Sequence, residues 1–319
     1  MSKSLRTVLL TALVLTMSAA CCLAQGGVTN STKNAQQVAA LHWYGANQTT
    51  TFSVGSFALG IAYDRANMWV PSETTNSVMK LRANDGAVLG TFTVGNYPDG
   101  IGYDGANMWV ANANDATVTK LRGSDGVVLG TFNTGSLPSG IAFDGTNIWV
   151  ANSGSNNVTK LRASDGTVIG TFPVGVNPTH LAFDGTNMWV TNTGASNVTK
   201  LSGSGTVLGN FTVGGNPRGI AFDGASIWVA CGLTNNVYKL KSDGGVQGKF
   251  AVGTTPYGVT FDGANIWVVS FANNIVTKLA SNNGAALGTY NVGVGPEETA
   301  FDGTYIWVVN VTDSTVSKL

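Results

Sequence analysis

The sequence repeats itself at a nearly constant interval. Seven of its eight tryptophans are separated by 40, 40, 40, 39, 39 and 40 residues, and they are Trp69, Trp109, Trp149, Trp189, Trp228, Trp267 and Trp307. A period of this length is typical of solenoids and propellers, in which each repeat packs only against its neighbours. The content of one repeat therefore decides the fold.

Each repeat contains four short segments with the character of β-strands. In the third copy they are GIAFDG, NIWVAN, NVTKLR and TVIGTFPVG, between Gly140 and Gly175. An Asp-Gly pair follows the first strand and another follows the third, and such pairs favour tight hairpin turns. A four-stranded sheet of this size cannot cover both of its apolar faces alone. Seven sheets stacked radially cover one another, which predicts an all-β, seven-bladed β-propeller with four antiparallel strands per blade.

The two ends of the repeat region complement each other. The seventh copy stops at Leu319 after its third strand, and residues 48–55 match the missing fourth strand. We therefore expect the last blade to be closed by the N-terminal strand, which removes an exposed sheet edge. Residues 38–41 also match the third strand that residues 316–319 already supply, and the sequence does not decide between them. The predicted single propeller domain, 38–319, has repeats near 56–95, 96–135, 136–175, 176–214, 215–253, 254–293 and 294–319 plus 48–55.

The repeats are similar to a known family. The pattern VGxxPxGIAFDGxNxWVANxxxNxVTKL resembles the YVTN repeat of bacterial exported propellers, and also NHL repeats and the blades of streptogramin lyases and lactonase-type propellers. WD40 repeats are less similar, because no Trp-Asp dipeptide ends a strand. The run KLRASDGTVIGTF resembles quinoprotein blades, but the tryptophan that those blades place near Gly170 is absent. The resemblance implies a seven-bladed propeller and leaves its activity open among binding proteins, lactonases and lyases.

The N-terminus has the features of an export signal. Lys3 and Arg6 precede an apolar run, and small residues follow it, which predicts a signal peptide over 1–24 and a flexible linker over 25–37. A lipoprotein anchored through Cys21 is the alternative. No other segment has the length of apolar sequence that a membrane helix needs. We therefore expect a secreted or periplasmic protein.

Positions that are filled alike in all repeats are expected to serve the scaffold. The tryptophans should lie on the second strand, between blades, and the aspartate of each FDG segment should form a turn. The lysine of each third strand is expected to pack its stem while its ammonium group reaches solvent. Cys231 is interpreted as a small packed residue, with a thiol activated by nearby Arg218 as the alternative.

Six carboxylates fall outside these repeated positions. Following the strand direction, all six are expected in loops at the end of the ring opposite the Asp-Gly turns, in blades seven, one and two. These residues are Glu73, Asp99, Asp115, Glu297, Glu298 and Asp313. Ring closure makes those blades neighbours, so one sector of the rim should be acidic, with His180 and Arg218 on the far side.

One position per blade in these loops is expected to lie nearest the central channel. Around the ring it reads Leu59, Asp99, Ser139, Thr179, Arg218, Tyr257 and Glu297, and the next position is glycine except at His180 and Glu298. A polar and varied ring on a uniform scaffold is where binding sites usually occur, although free variation of solvated loops would give the same pattern. The predicted ligand-binding residues are Glu73, Asp99, Ser139, Thr179, His180, Arg218, Tyr257, Glu297 and Glu298.

The chemistry expected at this mouth has two versions. We favour an exported binding or scaffold protein that engages a small molecule, a glycan or a protein at the loop face around the channel. The acidic sector favours a cationic or amine-bearing partner or a divalent ion. The alternative is a metal-assisted lyase or lactone hydrolase, in which the resemblance to streptogramin lyases makes His180 and Glu298 the catalytic candidates. Calcium or magnesium would then be held by Asp99, Glu297 and Glu298, because hard cations prefer oxygen ligands.

Composition excludes other classes of partner. Basic and acidic side chains number 17 each, so no net charge favours nucleic acid or an anionic membrane surface. No quinone, haem or nucleotide cofactor is expected, and we expect a monomer.

Overall fold

The structure is a computed structural model that describes residues 50–319. The predicted signal peptide, the linker, Cys21 and residues 38–41 lie outside the described residues. Within them, 28 strands form seven four-stranded antiparallel sheets, which are the blades of a β-propeller. No helix in the described part of the chain has the length and hydrophobicity needed to cross a membrane.

The strands follow the repeat closely. Strand β1 (Thr50–Ser53) belongs to the last blade. Blade 1 contains β2 (Ala62–Tyr63), β3 (Asn67–Ser72), β4 (Ser77–Arg82) and β5 (Val88–Thr93). Blade 2 contains β6 (Pro98–Tyr103), β7 (Asn107–Asn112), β8 (Thr117–Arg122) and β9 (Val128–Asn133). Blade 3 contains β10 (Pro138–Phe143), β11 (Asn147–Asn152), β12 (Asn157–Arg162) and β13 (Val168–Pro173). Blade 4 contains β14 (Pro178–Phe183), β15 (Met188–Asn192), β16 (Asn197–Leu201) and β17 (Val207–Thr212).

The remaining blades repeat the arrangement. Blade 5 contains β18 (Pro217–Phe222), β19 (Ile227–Cys231), β20 (Asn236–Leu240) and β21 (Val246–Ala251). Blade 6 contains β22 (Pro256–Phe261), β23 (Asn265–Ser270), β24 (Ile275–Ala280) and β25 (Ala286–Asn291). Blade 7 contains β26 (Pro296–Phe301), β27 (Ile306–Asn310) and β28 (Thr315–Lys318). Two short 3-10 helices, Ala113–Asp115 and Phe271–Asn273, occupy loops of blades 2 and 6.

The N-terminal strand closes the last blade, as predicted. Strand β1 pairs antiparallel with β28, with Phe52 opposite Val316, and the strand order in this sheet is β1-β28-β27-β26. The third strand of blade 7 is therefore β28, which decides the alternative that the sequence left open. Closure also buries apolar surface, because Trp307 of blade 7 packs with Met68 and Val70 of blade 1.

The repeated tryptophan and aspartate form one unit. Trp149 is buried between blades 3 and 4 with Leu181 and Met188. Asp144 Oδ1 accepts hydrogen bonds from the backbone N–H of the turn that follows it, and Oδ2 accepts one from Trp149 Nε1 at 2.7 Å. The same indole–carboxylate bond is present in all seven blades. The aspartate therefore forms the turn, as expected, and also fixes the tryptophan.

Three of the seven lysines differ from the prediction that their ammonium groups reach solvent. Lys80 is only 6% exposed, and its Nζ lies 4.7 Å from the centroid of the Trp69 ring. It donates a hydrogen bond of 2.7 Å to the carbonyl of Gly123 in the next blade. Lys120 and Lys160 are buried in the same way. The carbonyl acceptors belong to the outer turn of the neighbouring blade, so they cannot be recognised from the sequence of one repeat. The ammonium group therefore links two blades.

Candidate functional site

The innermost strands carry a common irregularity where the predicted channel residues lie. In blades 2 to 7 the pairing of the first and second strands shifts register after the initial proline, for example between Pro138 and Ile141. A bulge of this kind redirects side chains and is frequent beside functional sites. It contains both variable positions of each blade, such as Ser139 and Gly140.

The glycines at the second of these positions allow the innermost strands to approach closely. A Cβ atom on Gly100 would lie 2.0 Å from the carbonyl oxygen of Ser139, and one on Gly140 would lie 2.3 Å from that of Thr179. A side chain cannot be accommodated at those distances without movement of the backbone. The ring is therefore narrow at this level, and His180 and Glu298 are the two side chains that replace glycine.

A cavity of about 390 Å³ opens at this mouth of the channel. Eight of the nine predicted ligand-binding residues line it, together with Leu59, Tyr97 and several glycines and aliphatic side chains. The eight are Glu73, Asp99, Ser139, Thr179, His180, Arg218, Glu297 and Glu298. Comparison of equivalent positions in the seven repeats therefore locates the lining of the cavity, whereas the role of the cavity in binding stays a prediction.

His180 and Glu298 meet across the channel although they belong to blades 4 and 7. His180 Nε2 lies 2.8 Å from Glu298 Oε1. Burial by itself would lower the pKa of His180, but the charges of Glu298 and Asp99 outweigh it and raise the pKa above its usual value. The imidazole is therefore biased toward its protonated form, and it forms a charge-assisted hydrogen bond with the carboxylate.

Arg218 is held by aromatic stacking and faces a second carboxylate. Its guanidinium carbon lies 4.0 Å from the centroid of Tyr257, whose ring stacks on Phe271 at 5.2 Å. Arg218 Nη1 lies 4.0 Å from Glu297 Oε1. Tyr257 is the one predicted ligand-binding residue outside the cavity lining. Its ring contacts the Arg218 guanidinium group and orients it. Phe271 was not singled out by the sequence, because it occupies a loop position that varies freely between blades.

Ser139 and Thr179 use their hydroxyl groups within the ring. Ser139 Oγ donates to the carbonyl of Thr179 at 3.1 Å, and the hydroxyls of Thr179 and Thr193 lie 2.9 Å apart. The first bond connects blades 3 and 4, and the second lies within blade 4. Both residues line the cavity, but these contacts are structural.

Glu73 and Tyr97 form a pair that the sequence did not indicate. Glu73 is 7% exposed, and the Tyr97 side chain lies beside its carboxylate. Burial raises the pKa of Glu73 to about 7, partly opposed by the Tyr97 hydroxyl and reinforced by the charge of Asp99. Tyr97 precedes Asp99 by two residues, and this proximity is the signal that could have pointed to it.

Two further carboxyl groups of the cavity, Asp99 and Glu297, are also poorly compensated. Burial raises the pKa of Asp99 to about 6 and that of Glu297 to about 7, against the opposing charges of His180 and Arg218. Three buried atoms beside the cavity have no hydrogen-bond partner in the described chain: Glu73 Oε1, His180 Nδ1 and Arg218 Nε. Unpaired buried polar atoms are uncommon and costly in folded proteins.

We expected the acidic sector of the rim to lie opposite His180 and Arg218, but the structure does not separate these charges. Asp115 and Asp313 are engaged in their own loops, where they accept hydrogen bonds from the backbone N–H groups of Asn96 and Val294. Glu298 and Glu297 instead reach His180 and Arg218. The prediction assigned each side chain to the sector of its blade, whereas the close approach of the innermost strands lets side chains from opposite blades touch.

The predicted metal set does not form a ligand cluster in residues 50–319. No group of three or more His, Cys, Asp or Glu side chains in this range is placed to hold a metal ion. Glu297 and Glu298 face the cations Arg218 and His180. Metal binding by Asp99, Glu297 and Glu298 stays a prediction.

Cys231 is not an activated thiol. Its side chain is fully buried, and burial raises its pKa to about 12. It lies in the core cluster with Trp189 and Val229, which agrees with the interpretation as a small packed residue and contradicts activation by Arg218.

Solved propellers resemble this fold at low sequence identity. A chain of Kuenenia stuttgartiensis hydrazine synthase matches 84% of this chain and 96% of its own length, with a TM-score of 0.74 and 19% identity. Virginiamycin B lyase from Staphylococcus aureus matches over 85% and 98%, with a TM-score of 0.73 and 16% identity. A streptogramin B lyase matches over 85% and 96%, with a TM-score of 0.74 and 17% identity.

No protein-family model and no curated protein matches the sequence. At these identities the structural matches show the fold alone. The resemblance to YVTN and NHL repeats therefore stays a prediction.

Proposed function

We propose that this protein binds a small cationic ligand, an organic amine, in the cavity at the mouth of its channel. The strongest support comes from Glu73, which is 7% exposed and lines the cavity. Its Oε1 atom is buried and has no hydrogen-bond partner in the described chain. A carboxylate oxygen in that situation lacks the donor that burial normally requires, and an ammonium group supplies both the donor and the charge.

The balance of charges at the cavity supports a cation. Within residues 50–319 its lining contains four carboxyl side chains and two cationic ones. His180 faces Glu298 and Arg218 faces Glu297. Neither Glu73 nor Asp99 forms an ion pair within residues 50–319, and an amine placed beside them would add positive charge to a lining in which carboxyl groups outnumber cations.

The size of the cavity is also suitable. About 390 Å³ is within the usual range for small-molecule sites. The lining combines polar groups at defined places with aliphatic side chains such as Ile61 and Ile141, an arrangement that orients a ligand while excluding part of its water.

Titration with methylamine hydrochloride at pH 8, followed by NMR chemical shifts, tests this function. We expect saturable binding that Glu73→Gln weakens by roughly tenfold or more, because it removes a charged hydrogen-bond partner. Asp115→Asn is the matched control, since it removes a carboxylate from a loop of the same face outside the cavity. Absence of saturation, or equal weakening by both variants, would refute the amine site. Tight uptake of calcium or magnesium that Glu298→Gln abolishes would also refute it, in favour of a metal.

Export is proposed from residues 1–24 alone. N-terminal sequencing of the mature protein is the test, with Gln25 as the expected first residue. A mature chain that still begins at Met1, or one that begins at a lipid-modified Cys21, would contradict cleavage after Ala24.

A second candidate is a lyase or lactone hydrolase. It is favoured by the 2.8 Å contact between His180 and Glu298 within the cavity and by the similarity of the fold to streptogramin B lyases. In this function Glu298 would hold the imidazole, and His180 would donate a proton to the oxygen that leaves as its bond to carbon breaks. In a lyase another carboxylate of the cavity lining would take a proton from the neighbouring carbon, whereas in a hydrolase it would take one from the water that attacks the carbonyl carbon. General acid catalysis needs a protonated group within hydrogen-bond reach of the substrate, and a raised pKa for His180 suits that role.

Incubation with streptogramin B, analysed by mass spectrometry, tests this candidate. A lyase gives a linear product of unchanged mass, whereas a hydrolase gives a product that has gained one water. Turnover that is lost in His180→Asn and in Glu298→Gln, and kept in Asp115→Asn, would support the enzyme. Turnover that persists in both cavity variants would exclude this pair as its catalytic residues.

A further inference from the structure

The loop that enters each blade contains one residue in the left-handed backbone conformation. It precedes the first residue of the innermost strand in blades 2 to 7 and occupies the equivalent place in blade 1. The seven residues and their φ angles are Phe57 (52°), Tyr97 (58°), Leu137 (48°), Asn177 (54°), Asn216 (54°), Thr255 (54°) and Gly295 (70°). Glycine and asparagine adopt this conformation readily, whereas bulky side chains are strained in it.

Three consecutive blades carry large apolar residues at this position, whereas two others carry asparagine, one carries threonine and one carries glycine. Phe57, Tyr97 and Leu137 stand in blades 1, 2 and 3, and they are 54%, 43% and 47% exposed. Their rings and methyl groups do not join the core to the extent that would offset the strain. Strained backbone that gains little from packing is often found at binding sites.

The apolar rim formed by Phe57, Tyr97 and Leu137 meets the cavity at Tyr97. Tyr97 is exposed on the rim, and its side chain also lines the cavity beside Glu73. The loops of blades 1 and 2 are also linked directly, because Asn76 Oδ1 accepts a hydrogen bond from the backbone N–H of Tyr97. The rim thus lies on the side of the ring that carries Glu73 and Asp99, which form no ion pair within residues 50–319.

We infer that Phe57, Tyr97 and Leu137 form an apolar subsite, and that the ligand is an amine with an apolar body of about the size of one aromatic ring. Its ammonium group enters the cavity beside Glu73 and Asp99, and its apolar part lies on the rim. This inference presupposes the amine site proposed above and adds the class of amine. An amphipathic ligand agrees with the arrangement, because the polar and apolar surfaces meet at a single residue, Tyr97.

Comparison of two amines separates the rim from the cavity. Methylamine reports the cavity alone, and phenethylamine reports the cavity and the rim. We expect phenethylamine to bind roughly tenfold or more tightly than methylamine, because its ring loses contact with water. Phe57→Asn and Leu137→Asn should each weaken phenethylamine by roughly fivefold and leave methylamine unchanged.

Asparagine is the appropriate replacement because Asn177 and Asn216 already occupy the equivalent positions. These variants should melt at the same temperature as the parent protein or higher, since backbone strain is relieved. Leu233→Asn is the matched control, because Leu233 is 76% exposed in a loop of blade 5, away from the three rim residues. It should change neither affinity.

Each result tests either the apolar subsite or the cation site. Equal affinities for the two amines, or no effect of Phe57→Asn and Leu137→Asn on phenethylamine, would overturn the apolar subsite and leave the cation site intact. Weakening of both amines by the rim variants would also overturn it, since the rim would then act only through the shape of the cavity. Failure of both amines to bind would overturn the cation site itself.

Discussion

Replacing Glu73 with glutamine removes a buried negative charge while it keeps the size of the side chain. Glutamine also retains a carbonyl oxygen that can face the Tyr97 side chain. The pKa of Glu73 is raised from 4.5 to about 7 in the folded protein. One pKa unit corresponds to about 1.36 kcal/mol, so the ionised carboxylate opposes folding by about 3 kcal/mol. We therefore expect the variant to be more stable than the parent protein at pH 8.

The effect has a defined dependence on pH. Below about pH 4.5 the carboxyl group is protonated in both the folded and the unfolded states, so Glu73 causes no penalty. Between pH 4.5 and 7 the unfolded chain releases the proton and the folded chain keeps it, and stability falls. Above pH 7 the full penalty applies. Relative to the parent, Glu73→Gln should gain nothing at pH 4.5 and about 3 kcal/mol at pH 8.

Urea denaturation followed by tryptophan fluorescence at pH 4.5, 6 and 8 measures this difference. Asp165→Asn is a control of opposite sign, because backbone hydrogen bonds from the turn lower the pKa of Asp165 to about 2. Its carboxylate stabilises the folded state above about pH 4, and the contribution is lost as pH falls toward 2. A Glu73→Gln variant that gains the same stability at all three pH values would refute a role for charge. One that is less stable at pH 8 would refute the reasoning entirely.

Three further predictions concern the cavity and its scaffold. Methylamine binding should strengthen from pH 5 to pH 8 and release protons, because Glu73 and Glu297 have pKa values raised to about 7. Calorimetry in buffers of different ionisation enthalpy measures that release, and its absence would contradict the assignment. Asp144→Asn should lower the free energy of unfolding by about 1–3 kcal/mol, measured with urea, because it disturbs the acceptor of the buried Trp149 indole. Gly140→Ala should cost about 1–3 kcal/mol and weaken amine binding, whereas Gly203→Ala, whose Cβ would meet no atom closer than 4.0 Å, should do neither.

The fold can be predicted from the sequence because every repeat has the same pattern of turn residues and apolar residues. Asp-Gly pairs form the turns, alternating residues give each strand a buried face, and the tryptophan of every repeat covers the next sheet. Seven copies of such a unit, with the fourth strand of the last one located upstream, are sufficient to predict a closed ring with β1 beside β28. The variable positions of the innermost strands can likewise be predicted, because alignment of the seven repeats shows which positions differ between blades.

Contacts between blades that are distant in the chain are decided by the tertiary structure alone. His180 and Glu298 touch because the innermost strands pack at the spacing that the glycines allow. The width of the channel that results cannot be predicted from the sequence of a single repeat. Lys80 turns inward because its acceptor, the carbonyl of Gly123, belongs to another blade. Tyr97 reaches Glu73 for the same reason. The sequence determines which residues face the mouth of the ring, and the packing of the ring determines which of them meet, because that depends on distances across the channel rather than along the chain.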